Sequence, residues 1–123
     1  MAEYKLTIKG RLAGMNEVVE ANRIHWAKGA KLKNDETQLV ALTAKSQLRG
    51  VKILNPVVVE IDWYELNAKR DIDNIASGVK FILDGLVAAG TLINDNQKYV
   101  VGLVHRFFVD KENPRIEVVL REV

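Results

Sequence analysis

Residues 69 to 74 read Lys-Arg-Asp-Ile-Asp-Asn, and this is where the chain concentrates groups able to do chemistry. Asp71 and Asp73 are like charges one residue apart, so they repel unless something compensates them. Three devices would: a helix start whose free N–H groups donate to a carboxylate, an ion pair with Lys69 or Arg70, or a bound cation. In an extended segment the two side chains point to the same face. A third acid, Asp95, lies in the loop running from Leu92 to Gln97. Two or three converging carboxylates make an all-oxygen site of the kind Mg²⁺ takes, with waters and a substrate phosphate completing its octahedron.

A helix expected from Ile75 to Ala89, ended by Gly90, must position these groups. At ~100° per residue, Ser77, Lys80 and Asp84 follow Asp73 along one face, while Ile72, Ile75, Val79, Ile82, Leu83 and Leu86 gather on the other. The apolar stripe is core. The polar stripe puts Lys80 above the acidic pair. A plainer reading stays open beside the metal: Asp71 or Asp73 as a helix cap, Arg70 paired with a carboxylate, and Lys80–Asp84 as a surface pair. Upstream, Asn22 to Lys33 holds Arg23, His25, Trp26, Lys28, Lys31 and Lys33 and no acid. Such a segment suits phosphates with Trp26 free to stack, or is a solvated loop with one half-buried aromatic.

The remaining elements follow from period and punctuation. Tyr4, Leu6 and Ile8 alternate with polar residues as a half-buried strand does. Gly10 to Lys33 shows no period and is expected to be a long loop. Asn34 is the expected cap of a helix that ends at Arg49 and Gly50. Val57 to Tyr64 is β-rich, and Tyr99 to Val109 with Arg115 to Val123 are expected to form a hairpin around Asp110–Pro114. The order is β-α-β-α-β-β, an α/β (α+β) domain over residues 1–123 with a mixed sheet and two helices. The absence of cysteine excludes disulfides and thiolate metal sites. No apolar run nears the ~20 residues of a membrane span, and no signal peptide is evident, so a cytoplasmic protein is expected.

Arg70 to Asn74 (RDIDN), then Lys80 to Leu86 (KFILDGL), then Gly90, Leu92 and Asp95 as G-x-L-x-x-D, resemble the RusA family of Holliday junction resolvases. Leu12 to Glu17 (LAGMNE), the basic stretch and the element order also look like RusA relatives of Gram-positive bacteria and their phages. The resemblance implies a homodimeric crossover junction endodeoxyribonuclease of recombination and repair. It implies Mg²⁺ as cofactor, with Mn²⁺ as a substitute, and products with 5′-phosphate and 3′-hydroxyl ends. It makes Asp71, Asp73 and Asp95 the metal-binding, catalytic acids. The family loop often reads Asp-Asp, and here Asn94 holds the first position. The best-known member has a lysine four residues after the second aspartate, where this chain has Ser77. Lys80, three residues on, takes that role, with Lys69 and Arg70 as rivals. Arg23, His25, Lys28, Lys31, Lys33, Lys69 and Arg70 would lie along the DNA. Phe81, Phe107 and Phe108 are candidates for the dimer contact. The alternatives are a non-catalytic nucleic-acid-binding domain, another Mg²⁺-dependent nuclease of flaps or branched DNA, and a purely structural oligomer.

Overall fold

The alternation around Leu6 does produce a strand: β1, Glu3–Lys9, buries Leu6 and Ile8. The structure, a computed structural model, describes residues 2–123. In β2, Val57–Glu65, every second residue from Val57 to Glu65 is buried. Two further strands, β3 (Val100–Val109) and β4 (Arg115–Glu122), complete one mixed sheet in the order β1-β4-β2-β3. β4 is antiparallel to both β1 and β2, while β3 runs parallel to β2. The expected β3–β4 hairpin is therefore not formed, because β2 lies between them. Strand pairing is decided by competition across the sheet. β2, with Val57, Val59, Ile61 and Trp63 all buried, takes one of the two central positions, between β4 and β3.

The helices depart further from expectation. Met15–Ile24 is a helix, α1, and Trp26–Gln47 is a second, α2, so Gly10 to Lys33 is not a long loop and Asn34 lies inside α2. α1 fully buries none of its residues, although Met15, Val18 and Val19 fall at helical spacing and Val18 packs against the core. It leans on α2 where Gly29 meets Asn22; a Cβ on Gly29 would come within 1.6 Å of Asn22 Oδ1. His25 separates the two helices with an extended backbone and caps α2 by accepting a bond from the Ala27 N–H at Nδ1, 3.0 Å.

The expected second long helix starts earlier and breaks. α3 spans Ile72–Ala76 and α4 spans Val79–Ala88, separated by Ser77 and Gly78. The break is a tighter turn, in which Phe81 N–H bonds to Gly78 O. It passes directly over Trp63, whose ring would lie 3.1 Å from a Cβ on Gly78. α4 then crosses α2 at Gly85, against Val40. Phe81 belongs to this core and is not available for a dimer contact. The opposite face of the sheet carries an ion ladder in which Arg121 joins Glu3 and Glu60, and Arg106 joins Glu60 and Asp62.

Trp63 Nε1–H donates to His105 Nδ1 at 3.0 Å, and burial holds the His105 pKa below its ordinary 6.5. The unfolded chain therefore takes a proton near pH 6.5 that the folded chain resists. Stability is complete above that pH and declines as pH falls below it. The melting temperature is expected to drop between about pH 7 and about pH 5. His105→Gln, whose amide oxygen can still accept from Trp63, is expected to flatten that part of the profile; an unchanged slope would assign the decline elsewhere.

Candidate functional site

Within RDIDN, the residues that are not acids form a frame. Arg70 lies with its side chain only 12% exposed against Glu65, itself 6% exposed. Arg70 Nε and Nη2 donate to the two Glu65 carboxylate oxygens, each at 2.9 Å, and Nη1 donates to Leu12 O and to Glu17 Oε1, each at 3.2 Å. Arg70, expected to face DNA or a phosphate, is thus turned into the protein. Asn74 is buried and accepts the Asn16 N–H at 2.9 Å. The approach is close enough that a Cβ at Gly14 would stand 2.4 Å from Asn74 Oδ1, so only glycine fits there. Glu36 of α2 accepts the Ala13 N–H at 2.7 Å. LAGMNE and RDIDN, distant in sequence, are therefore one physical unit.

The acids sit on the outside of this frame. α3 begins at Ile72, so Asp71 is its extended N-cap and Asp73 lies in its first turn. The expectation that both project from one extended segment does not hold. Asp71 makes no side-chain cap bond, and Asp73 Oδ1 accepts only its neighbour's N–H, from Asn74 at 2.9 Å. Both are exposed, and neither they nor Asp95 join an ion pair among the described residues. Asp95 is half-buried in a loop shaped by Asn94, whose Oδ1 accepts the N–H groups of Asp95 and Asn96 at 2.7 and 3.1 Å. Among the described residues, no three His, Asp or Glu side chains stand close enough to enclose a metal ion. As donors the three acids are carboxylates of the type Mg²⁺ takes.

Lys80 lies in the first turn of α4. Its Nζ lies 3.1 Å from Asp84 Oδ1. That bond, with a weaker contribution from the charge of Asp95, holds the Lys80 pKa above the ordinary lysine value. Asp95 is thus brought within electrostatic reach of Lys80. Lys80, Ser77 and Asp84 line a groove of about 270 Å³ together with Lys33 of α2 and the apolar side chains of Met15, Val18 and Phe81. Ser77 is engaged locally, donating to Asn74 O at 2.6 Å.

The basic stretch is helical and solvated. Arg23, His25, Lys28, Lys31 and Lys33 are all exposed, as is Lys69 on the loop before α3. Lys31 pairs with Asp35 at 2.7 Å, one turn along α2. Trp26, far from half-buried, is 75% exposed.

A sequence model of the RusA endodeoxyribonuclease family matches residues 17–121. The chain belongs to that family. The RusA match runs from α1 through RDIDN, α4 and the Asp95 loop to the end of β4, and leaves out β1 and most of LAGMNE. No curated protein matches the chain. No helix among the described residues is long and apolar enough to cross a membrane. RusA membership makes the chain a nuclease acting within DNA strands and bears out the mixed α+β fold. Two contributors went unread in the sequence. Glu65 falls on the buried alternation of β2 next to a nearby arginine, which is a legible sign of a buried ion pair. Glu17 is brought to Arg70 only by folding.

Proposed function

We propose that this chain is a Mg²⁺-dependent, homodimeric endonuclease that resolves four-way DNA junctions by paired symmetric nicks in recombination and repair. One observation supports it beyond family membership. Asp71, Asp73 and Asp95 are left without cationic partners, while the motif arginine that would have neutralised two of them is committed to Glu65 and Glu17. Carboxylates without an ion-pair partner are oxygen donors of the type a hard divalent cation takes.

In this reading Asp71, Asp73 and Asp95 supply the oxygens that hold the ion. When bound, Mg²⁺ acidifies a water for attack at phosphorus and neutralises charge developing on the phosphate. Lys80, kept charged by Asp84, stabilises the non-bridging oxygens once the phosphate competes for it. Arg23, His25, Lys28, Lys31, Lys33 and Lys69 follow the DNA arms, and Arg70 positions the acids. Two opposed nicks in a two-fold junction call for two sites related by a dyad.

The test is a set of labelled substrates with Mg²⁺: a four-way junction, its component duplex and a flap. Symmetric nicking of the junction alone is expected. Equal cutting of the flap or duplex would replace the resolvase reading by a broader nuclease, and binding without cutting would leave a non-catalytic module. Lys80→Ala is expected to slow cleavage ~100-fold, as loss of one transition-state donor does, with Ser77→Ala close to wild type. The opposite ranking would move the lysine's role away from Lys80.

A further inference from the structure

The seam between α2 and α4 carries a second hollow beyond the Lys80 groove. In that groove α2 supplies Lys33 and Thr37, and α4 supplies Lys80 and Asp84. Farther along both helices, past the contact of Val40 with Gly85, lies a hollow of about 620 Å³. It is lined by Lys45 and Arg49 at the end of α2, Val87 of α4, Lys52, and Leu92 and Ile93. Lys80, Asp84 and Val87 recur at four and three residues, so one face of α4 borders both hollows. The Asp95 loop also joins them. Leu92 and Ile93 belong to its start, while the charge on Lys80, held chiefly by Asp84, is favoured by Asp95 as well.

The second hollow is cationic. Lys45, Arg49 and Lys52 are exposed, and none joins an ion pair among the described residues. No acidic side chain among the described residues lines it, and the sequence from Gln38 to Val59 holds no acid. A helix C-terminus favours Lys45 and Arg49 through its dipole. Lys52 lies past the end of α2, where that effect has faded, so the dipole does not account for the whole cluster.

We infer that this hollow is a phosphate-binding subsite for the cleaved DNA strand, in which Lys45, Arg49 and Lys52 hold the backbone on one side of the cut. This rests on the proposed function and gives the strand a direction, from Lys80 along the seam. From Lys80 to Val87 is about 10 Å of helix, and one strand of a duplex advances ~3.4 Å per nucleotide, which places the contact about three nucleotides from the cut. Asp84, which stands between on α4, is paired with Lys80 and does not oppose the backbone as a free charge. The Arg49 guanidinium can grip a phosphate through two N–H groups, and the two lysines add point charges. The hollow lies toward the other end of α2 from Arg23, His25 and Lys28, so it is a separate contact.

The test is fluorescence anisotropy of a labelled four-way junction in EDTA across a salt series. Lys45→Gln/Arg49→Gln/Lys52→Gln is expected to bind more weakly than wild type. Its slope of log affinity against log salt is expected to be shallower by ~2–3, near 0.9 per phosphate contact. Lys5→Gln/Lys9→Gln/Lys111→Gln removes the same charge from exposed sites outside the hollow and is expected to keep the wild-type slope. Circular dichroism checks folding. Should the triple variant not fold, Lys52→Gln alone, outside any helix, is expected to lower the slope by ~1. A neutral methylphosphonate about three nucleotides from the cut is expected to weaken wild type and leave the triple variant unaffected. An unchanged slope, an equal loss in the control variant, or a methylphosphonate effect that persists without the cluster would each overturn the subsite. A chain that binds through the cluster and never cuts keeps the subsite and removes the nuclease; a chain that cuts with an affinity indifferent to the cluster does the reverse.

Discussion

Asp73→Asn is expected to reduce Mg²⁺-dependent junction cleavage by ~1000-fold or more while junction binding holds or tightens. The substitution keeps size and shape and removes one carboxylate charge. Asn at this position can still accept the Asn74 N–H through its Oδ1, so the first turn of α3 is not disturbed. The side chain is exposed, which makes a folding defect an unsuitable explanation for lost activity. What disappears is an anionic oxygen ligand, and with it much of the stabilisation of charge at the reacting phosphate. Removing a negative charge beside DNA phosphates favours association, most visibly at low salt. Nicking assays, gel-shift titrations and a melting curve on one preparation separate the three quantities. Cleavage near the wild-type rate would remove Asp73 from the metal site.

Arg70→Ala is expected to act through the fold. It leaves Glu65 as an uncompensated charge in a site where it is almost fully enclosed. Breaking a buried pair from one side costs ~3–5 kcal/mol, which in a chain of this size lowers the melting temperature by roughly 10–20 °C. It also frees the Leu12 carbonyl and Glu17, so LAGMNE loses its hold on RDIDN. The paired change Glu65→Met/Arg70→Met, which removes both charges and keeps apolar volume, is expected to recover most of that loss. An Arg70→Ala protein that melts like wild type and no longer cuts would show that the guanidinium acts on the phosphate instead.

Several elements were legible because one physical rule dominated each. The alternation of β1 and β2 appeared where one face is buried, and α2 was legible from Val40 onward because Val40, Ala41 and Ala44 enter the core. α1 went unread although Met15, Val18 and Val19 keep helical spacing: the helix is short, none of these is fully buried, and α2 and the Asn74–Asn16 bond hold it in place. The β3–β4 hairpin failed because a turn at Asp110–Pro114 reverses the chain without choosing which strand lies alongside. The acids were legible as types and spacing, whereas the direction of Arg70 was not. An arginine beside two aspartates reads as their partner until a buried glutamate five residues upstream outbids them through desolvation, which strengthens a bidentate pair.

By itself the sequence determined the strands, the apolar faces, the acidic motif with its later third aspartate, and the RusA likeness. All of these depend on local pattern or residue type, which survive without knowledge of distant contacts. Only the tertiary structure decided that β2 separates β3 from β4 and that RDIDN opens a helix. It also decided that Arg70 and Asn74 bind LAGMNE, while Asp71 and Asp73 stay in water. Those outcomes turn on which distant groups compete for the same partner, and burial settles that competition: it strengthens the Arg70–Glu65 pair and leaves the aspartates in water without an ion-pair partner.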